Sequence, residues 1–231
     1  MSDRMRRVMV WDWPLRLFHW TLVLAIAIAF LSSEEDSPFN QWHMIAGWIA
    51  GILIVFRLVW GFVGGEHSRF SDFVRPSGLA EHLAGLARGR VEPSLGHNPL
   101  GGLAVLILVT LTGVTVWTGA FGGESGEDLH ELVAWTLLAM VGVHVAAVVV
   151  MSVLTRENLV RAMIGGTKPA GRHLGARDAR SPGAVALLLA GLAVFAAVYG
   201  VLRYDSQAFT PRSTEADEGH SLTPGFTREE S

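Results

Sequence analysis

LHELVAWTLLAMVGVHVAAVVVMSVL, residues 129–154, is apolar for long enough to cross a bilayer as one helix, and it carries two histidines, His130 and His144. Fourteen residues of α-helix make nearly four turns and rise ~21 Å. Both imidazoles therefore project from about the same face, at opposite depths of a hydrocarbon core ~30 Å thick. Histidines inside apolar spans are costly and mark functional positions. Two on one face read as ligands for two stacked metal centres, each of which needs a partner from elsewhere in the chain.

Composition agrees with a membrane protein. Half of the 231 residues are apolar and 17% are charged, against about 25% in an ordinary soluble domain. The net charge of −3 argues against a nucleic-acid partner. The absence of cysteine excludes disulfides and thiolate-ligated centres. Nine histidines remain as soft ligands.

An apolar run from Pro14 to Leu31 follows Arg4, Arg6 and Arg7 and resembles a signal peptide. Its core is long and Ser-Ser-Glu-Glu-Asp follows it, so it is expected to stay as a first span, capped by Asp12. Further spans are expected near Gln41–Val63, Pro99–Ala120, Leu129–Leu154 and Pro182–Arg203. The chain is thus expected to be all-α, an integral membrane helical bundle. The loops after spans two and four are basic, whereas those after spans one and three carry acidic residues and no basic ones. The positive-inside rule puts the N-terminus in the cytoplasm and the C-terminus outside.

These readings divide the chain into a cytoplasmic N-terminus (1–13), a four-helix region (14–168), a basic cytoplasmic linker (169–181), a fifth span (182–203) and an external tail (204–231). The tail has six acidic and two basic residues and few large apolar ones, a composition that favours disorder. Trp11, Trp13, Trp42, Trp60 and Trp117 fall near span ends, as an aromatic belt would place them.

Topology gives each histidine a depth. His19, a turn or so into span one, and His144, late in span four, reach a similar inner level; His43 and His130 open spans two and four at the outer side. Two bis-histidine sites, one near each leaflet, are what two b-type haems require when each iron takes two axial imidazoles. A helix bundle frames such sites with side chains on facing helices. A histidine at a span end also serves as a plain interfacial polar group, and that alternative stands for His43 or His130 taken singly. Gly47, Gly51, Gly113 and Gly142 leave room for a flat macrocycle, or simply pack helices closely. Arg57 lies fourteen residues after His43 on the same face, at the inner level, where it either pairs with a haem propionate or snorkels to the interface. Arg16, one turn before His19, has the same two readings.

The segments Trp11-Asp12-Trp13-Pro14-Leu15-Arg16-Leu17-Phe18-His19-Trp20, Phe56-Arg57-Leu58-Val59-Trp60-Gly61, Gly96-His97-Asn98-Pro99-Leu100-Gly101 and Arg156-Glu157-Asn158-Leu159-Val160-Arg161-Ala162-Met163 resemble the prokaryotic cytochrome b561 family. That family includes the b-type cytochrome subunits of membrane nickel–iron hydrogenases. The resemblance spans about residues 8 to 168. It implies a bacterial inner-membrane protein with a four-helix core and two haems b, His19 pairing with His144 and His43 with His130. The fifth span lies outside that core. Its small pairs, Ala193 with Ala197 and Ala196 with Gly200, suit docking on another helix. His97, just ahead of the Asn98-Pro99 helix start, is expected to contact a propionate or quinone, the alternative being competition with His19 for the inner iron. His67, His82, His173 and His220 are expected in solvated loops or the tail.

Bis-histidine ligation leaves no open iron position, so the expected role is electron transfer. A wire across the bilayer needs a lipid-soluble two-electron carrier, for which quinone is the candidate, and a redox protein at one face. The leading expectation is a respiratory-chain subunit passing electrons between the quinone pool and an external c-type cytochrome or hydrogenase-like partner. Two rivals are a self-sufficient superoxide:quinone oxidoreductase, disfavoured by the acidic outer loops, and a haem-free transporter or scaffold.

Overall fold

A computed structural model describes residues 6–34, 39–73, 84–85, 88, 94–173 and 175–211. Five helices are long and apolar enough to cross a membrane: α1 (Trp13–Leu31), α2 (His43–Val63), α3 (Pro99–Phe121), α4 (Glu127–Thr155) and, after the short helix α5 (Leu159–Gly165), α6 (Ala184–Tyr204). Each corresponds to an expected span within a few residues.

Local chemistry sets the helix ends. Asp12 accepts the Leu15 amide at 2.9 Å, and Pro14 occupies the first turn of α1, where its missing N–H costs nothing. Asn98 and Pro99 start α3 the same way, with Asn98 Oδ1 accepting the Gly101 amide at 2.6 Å. Glu127 and Asp128 occupy the first turn of α4, where carboxylates favour the helix dipole. Arg156, in the left-handed region at φ 54°, ends it.

α2 is the centre of the bundle, in contact with α1, α3 and α6, and α3 also packs on α4. α1 and α4 make little direct contact, apart from an edge-on meeting of Phe30 and Trp135 at 6.2 Å. Helix pairs α1/α2 and α3/α4 thus pack within themselves more closely than α1 packs on α4. α6 lies against α2 on another side, outside the four helices that carry the candidate histidines.

The tightest core lies at the end of the bundle that carries the N-terminus. Val8, Val10, Trp11, Leu15, Phe18 and Trp60 are buried there together with Ala186 and Ala190 of α6. A two-stranded antiparallel sheet closes this end: β1 (Arg7–Met9) pairs with β2 (Thr167–Pro169), Val8 opposite Lys168. Gly166, at φ 77°, joins α5 to β2, and its carbonyl accepts the amides of Val10 and Trp11 at 2.8 and 3.0 Å. A Cβ there would lie 2.8 Å from Arg16 Nη1 and 2.9 Å from the Trp11 carbonyl. The sheet is a small addition to the expected all-α bundle, and with it residues 6–13 pack against 166–173 and 175–181 as one cap. Two three-residue strands carry no periodicity that a sequence reading can detect.

Two further expectations are corrected. Trp60 is fully buried and Trp11 is 7% exposed, so neither belongs to an interfacial belt; Trp13 and Trp117, at 61% and 65%, do face outward. The start of the tail is ordered: Tyr204 completes α6 and donates to the Ala120 carbonyl at 3.1 Å, and residues 205–211 form turns that bury Ala208. The remaining tail, 212–231, lies outside the described residues.

Candidate functional site

At the end of the bundle away from the N-terminus, His43 and His130 face each other from the first turns of α2 and α4, their ring centroids 6.1 Å apart. His43 Nδ1 donates to the Ala29 carbonyl at 2.9 Å and His130 Nδ1 to the Thr115 carbonyl at 2.9 Å. A carbonyl can only accept, so both protons sit on Nδ1 and both Nε2 lone pairs are free, the arrangement that orients a metal-binding imidazole. Two metal–nitrogen bonds of ~2 Å, plus ~1 Å from each nitrogen to its ring centre, span ~6 Å. The observed separation therefore fits two axial imidazoles on one metal.

Gly119 makes room for this. A Cβ at that position of α3 would lie 2.7 Å from His130 Cε1 and 2.8 Å from its Nδ1. Other small residues divide between two roles. A Cβ on Gly51 would come within 3.0 Å of Val116, so Gly51 lets α2 and α3 approach, whereas one on Gly113 would make an ordinary contact with Ile54 at 3.7 Å. At Gly47 and Gly142 it would meet nothing within 4 Å, so these positions border open space.

At the opposite end, His19 of α1 and His144 of α4 are half-buried. His19 Nδ1 is buried without a hydrogen-bond partner among the described residues. His97 lies in the same region. Its ring is held between Trp11 and Phe73, with centroids at 4.7 and 4.8 Å, and its Nδ1 is likewise buried and unpartnered. Burial, reinforced by the positive charges of Arg57 and Lys168, lowers the His97 pKa to about 3. His97 is therefore neutral at physiological pH.

Arg57 is 1% exposed, and its side chain does not reach open water. Its Nη1 donates to the Ser68 carbonyl at 3.1 Å, its carbon Cζ lies 4.6 Å from the centre of the Phe70 ring, and its Nη2 has no partner among the described residues. Arg16 donates through Nη2 to the Ile164 carbonyl at the end of α5 and keeps a buried, unpaired Nε. Unpaired polar atoms of His19, His97, Arg16 and Arg57 thus converge on one end of the bundle. Buried polar atoms left without partners are rare, and four within one region fit a polar group supplied from outside the chain.

Asp12 is the residue that sequence reasoning understated as a helix cap alone. Besides the Leu15 amide, its carboxylate accepts from Trp60 Nε1 at 3.1 Å, the Gly65 amide at 3.1 Å and Ser68 Oγ at 2.6 Å. Ser68 in turn offers its carbonyl to Arg57. The segment Trp11-Asp12-Trp13-Pro14 hinted at more than a cap, but only the fold brings residues 60–68 onto it. Two histidines expected in solvent are not there. His67 Nδ1 contacts Asp72 at 2.9 Å, and His173 lies almost wholly buried with its Nε2 3.0 Å from Glu157 Oε1. His82 and His220 fall outside the described residues.

Among the described residues no three His, Cys, Asp or Glu side chains gather as a metal site. Two imidazoles alone are too few to hold a bare ion. They suit a metal that arrives with its equatorial positions filled, as a haem iron does.

The family profile of the prokaryotic cytochrome b561 family matches residues 10–166. The chain belongs to that family. It is similar to a probable Ni/Fe-hydrogenase B-type cytochrome subunit of Azotobacter vinelandii, 26% identical over 209 aligned positions that cover 69% of this chain and 87% of the relative. The corresponding protein of Rhizobium leguminosarum bv. viciae is 23% identical, covering 70% and 88%. A probable Ni/Fe-hydrogenase 1 B-type cytochrome subunit of Escherichia coli K12 is 23% identical, covering 71% and 92%. No solved structure matches the chain. As a cytochrome b561 the protein is a bacterial membrane b-type cytochrome that transfers electrons by way of haem b. The haem-free transporter or scaffold reading falls with that membership.

Proposed function

We propose that this cytochrome holds two haems b, one between His43 and His130 and one between His19 and His144, and connects the quinone pool to a hydrogenase-like redox protein at the outer face. The observation that carries the reading is the His43–His130 pair, 6.1 Å apart with both Nδ1 protons engaged by carbonyls. Bound haem supplies a one-electron iron couple. The chain's own residues hold it: the four imidazoles as axial ligands, and Arg57 Nη2, Arg16 Nε and His97 Nδ1 as donors for propionate oxygens or a quinone carbonyl at the inner end. The basic loops at the N-terminal end favour a cytoplasmic N-terminus and an external C-terminus.

Similarity to hydrogenase cytochrome subunits favours a hydrogenase-like partner over a c-type cytochrome. No specific observation favours the superoxide:quinone reading. The test is anaerobic stopped-flow spectroscopy on the purified full chain. A quinol analogue should reduce the haem α-band, and an added hydrogenase-type partner should exchange electrons with the haems faster than a superoxide source does. A quinol that leaves the α-band unchanged would contradict the quinone assignment, and faster reaction with superoxide would replace the partner assignment.

A further inference from the structure

Away from the haem-site candidates, a pocket of about 190 Å³ opens among β1, β2, α5 and the turn between α4 and α5. Arg7, Arg156, Arg161, Lys168 and Arg172 line it, with Glu157 as the carboxylate among them. Glu157 is 6% exposed, its Oε1 3.0 Å from His173 Nε2 without forming a hydrogen bond to it. Three of the cations hold the cap together. Arg7 donates to the Thr167 hydroxyl and carbonyl at 2.8 Å each, Lys168 Nζ to the Ser94 carbonyl at 2.7 Å, and Arg172 to the carbonyls of Thr155 and Arg156 at 2.8 and 2.6 Å. The side chains of Arg156 and Arg161 have no hydrogen bond or ion pair among the described residues.

Five positive groups against the single carboxylate of Glu157 leave this concavity with an excess of positive charge that a bound anion relieves. Guanidinium forks match the tetrahedral oxygens of phosphate, and backbone carbonyls already fix the orientation of Arg7 and Arg172. Position narrows the source. Arg156 ends α4, so the pocket sits where the apolar span gives way to the headgroup layer. Anionic headgroups concentrate basic segments at that level.

We propose that this pocket binds a phosphate oxyanion, carried by an anionic phospholipid headgroup or by a soluble phosphate. The bound anion joins Arg161 of α5 and Arg156 of α4 to Arg7 of β1, and so fastens the N-terminal strand to the membrane end of the bundle.

Native mass spectrometry of the purified full chain, exchanged into phosphatidylglycerol or phosphatidylcholine, tests the lipid arm; a thermal-shift titration with inorganic phosphate tests the soluble arm. The variant Arg156→Gln/Arg161→Gln removes two side chains that the protein itself does not use. Arg6→Gln/Arg180→Gln removes two charges from the same end outside the pocket. Phosphatidylglycerol occupancy should fall at least about tenfold in the first variant and stay unchanged in the second, as expected for two lost charge-assisted hydrogen bonds. A thermal shift by phosphate in the parent, absent from the pocket variant, supports the soluble source. Equal loss of lipid in both variants would leave only diffuse surface charge and overturn the site, as would no retention of either anion by the parent. If the double variant does not fold, Arg161→Gln alone should give intermediate occupancy, and parental occupancy there also overturns the proposal.

Discussion

His43 and His130 meet at 6.1 Å between ring centres and 81° between ring planes, each donating its Nδ1 proton to a carbonyl of a neighbouring helix, Ala29 for one and Thr115 for the other. The two bonds cross between helices that are sequence neighbours, α1 to α2 and α3 to α4. Each hairpin therefore orients its own ligand, and assembly of the two hairpins brings the free nitrogens together.

Gly119 sets the seat of one of those rings. Gly119→Ala should displace the His130 imidazole, because the new methyl carbon would stand 2.7 Å from Cε1. The expected outcome is loss of most of one haem equivalent with the other kept. Gly191→Ala on α6, where a Cβ meets nothing within 4 Å, should leave haem content unchanged and gain up to ~1 kcal/mol of helix stability. Haem content per chain after purification checks both.

Arg57 is expected to tune the other haem. A charge-assisted hydrogen bond is worth about 1.5–3 kcal/mol, which corresponds to roughly 60–130 mV for a one-electron couple. Arg57→Gln should lower the midpoint potential of one haem by up to that amount, since removing a positive charge favours the oxidised iron. Redox titration with full haem retention and no shift would leave Arg57 the structural role of holding the Ser68 carbonyl.

Asp12 joins the start of α1 to the end of α2. Asp12→Asn keeps the shape but loses acceptor capacity for Trp60, Gly65 and Ser68, together with the negative charge near Arg57. We expect a loss of about 2 kcal/mol or more, from two or three weakened buried hydrogen bonds. Denaturant unfolding in detergent measures it, and a change under 0.5 kcal/mol, within the usual range of a surface substitution, contradicts the hub role.

His97 makes the fold sensitive to acid. Its native pKa of about 3 lies below the ordinary 6.5, so as the pH falls below about 6.5 the unfolded chain takes up a proton that the native state refuses. Stability is lost progressively from about 6.5 down to about 3, at up to ~1.4 kcal/mol per pH unit, and His97 contributes no pH dependence above that window. His97→Gln should flatten the acid side of the stability profile, read from unfolding midpoints between pH 5 and 7.

The bundle was legible because its signals are local. Apolar length announced five spans, Asp12-Trp13-Pro14 and Asn98-Pro99 announced two helix starts, and the fourteen-residue spacing of His130 and His144 set their depths. The cap was not legible. β1 and β2 are three residues each and lie about 160 positions apart, so neither periodicity nor turn chemistry signals their pairing. The burial of Trp60 and His173 depends on that cap, whereas residues 1–13 read as a cytoplasmic terminus and 169–181 as a basic linker leave Trp60 at the interface and His173 in solvent. Position alone leaves Arg57 between a propionate and the interface, and its 1% exposure follows from Phe70 and Ser68 folding over it.

The number of haems and their assignment to histidine pairs is measured most directly by the pyridine haemochrome assay on purified parent and four single variants. The parent should hold two haems b per chain. His43→Ala and His130→Ala should each lose the same one, and His19→Ala and His144→Ala should each lose the other, identified by midpoint potential. One haem or none in the parent, or loss of the same haem in all four variants, would contradict the two-site account.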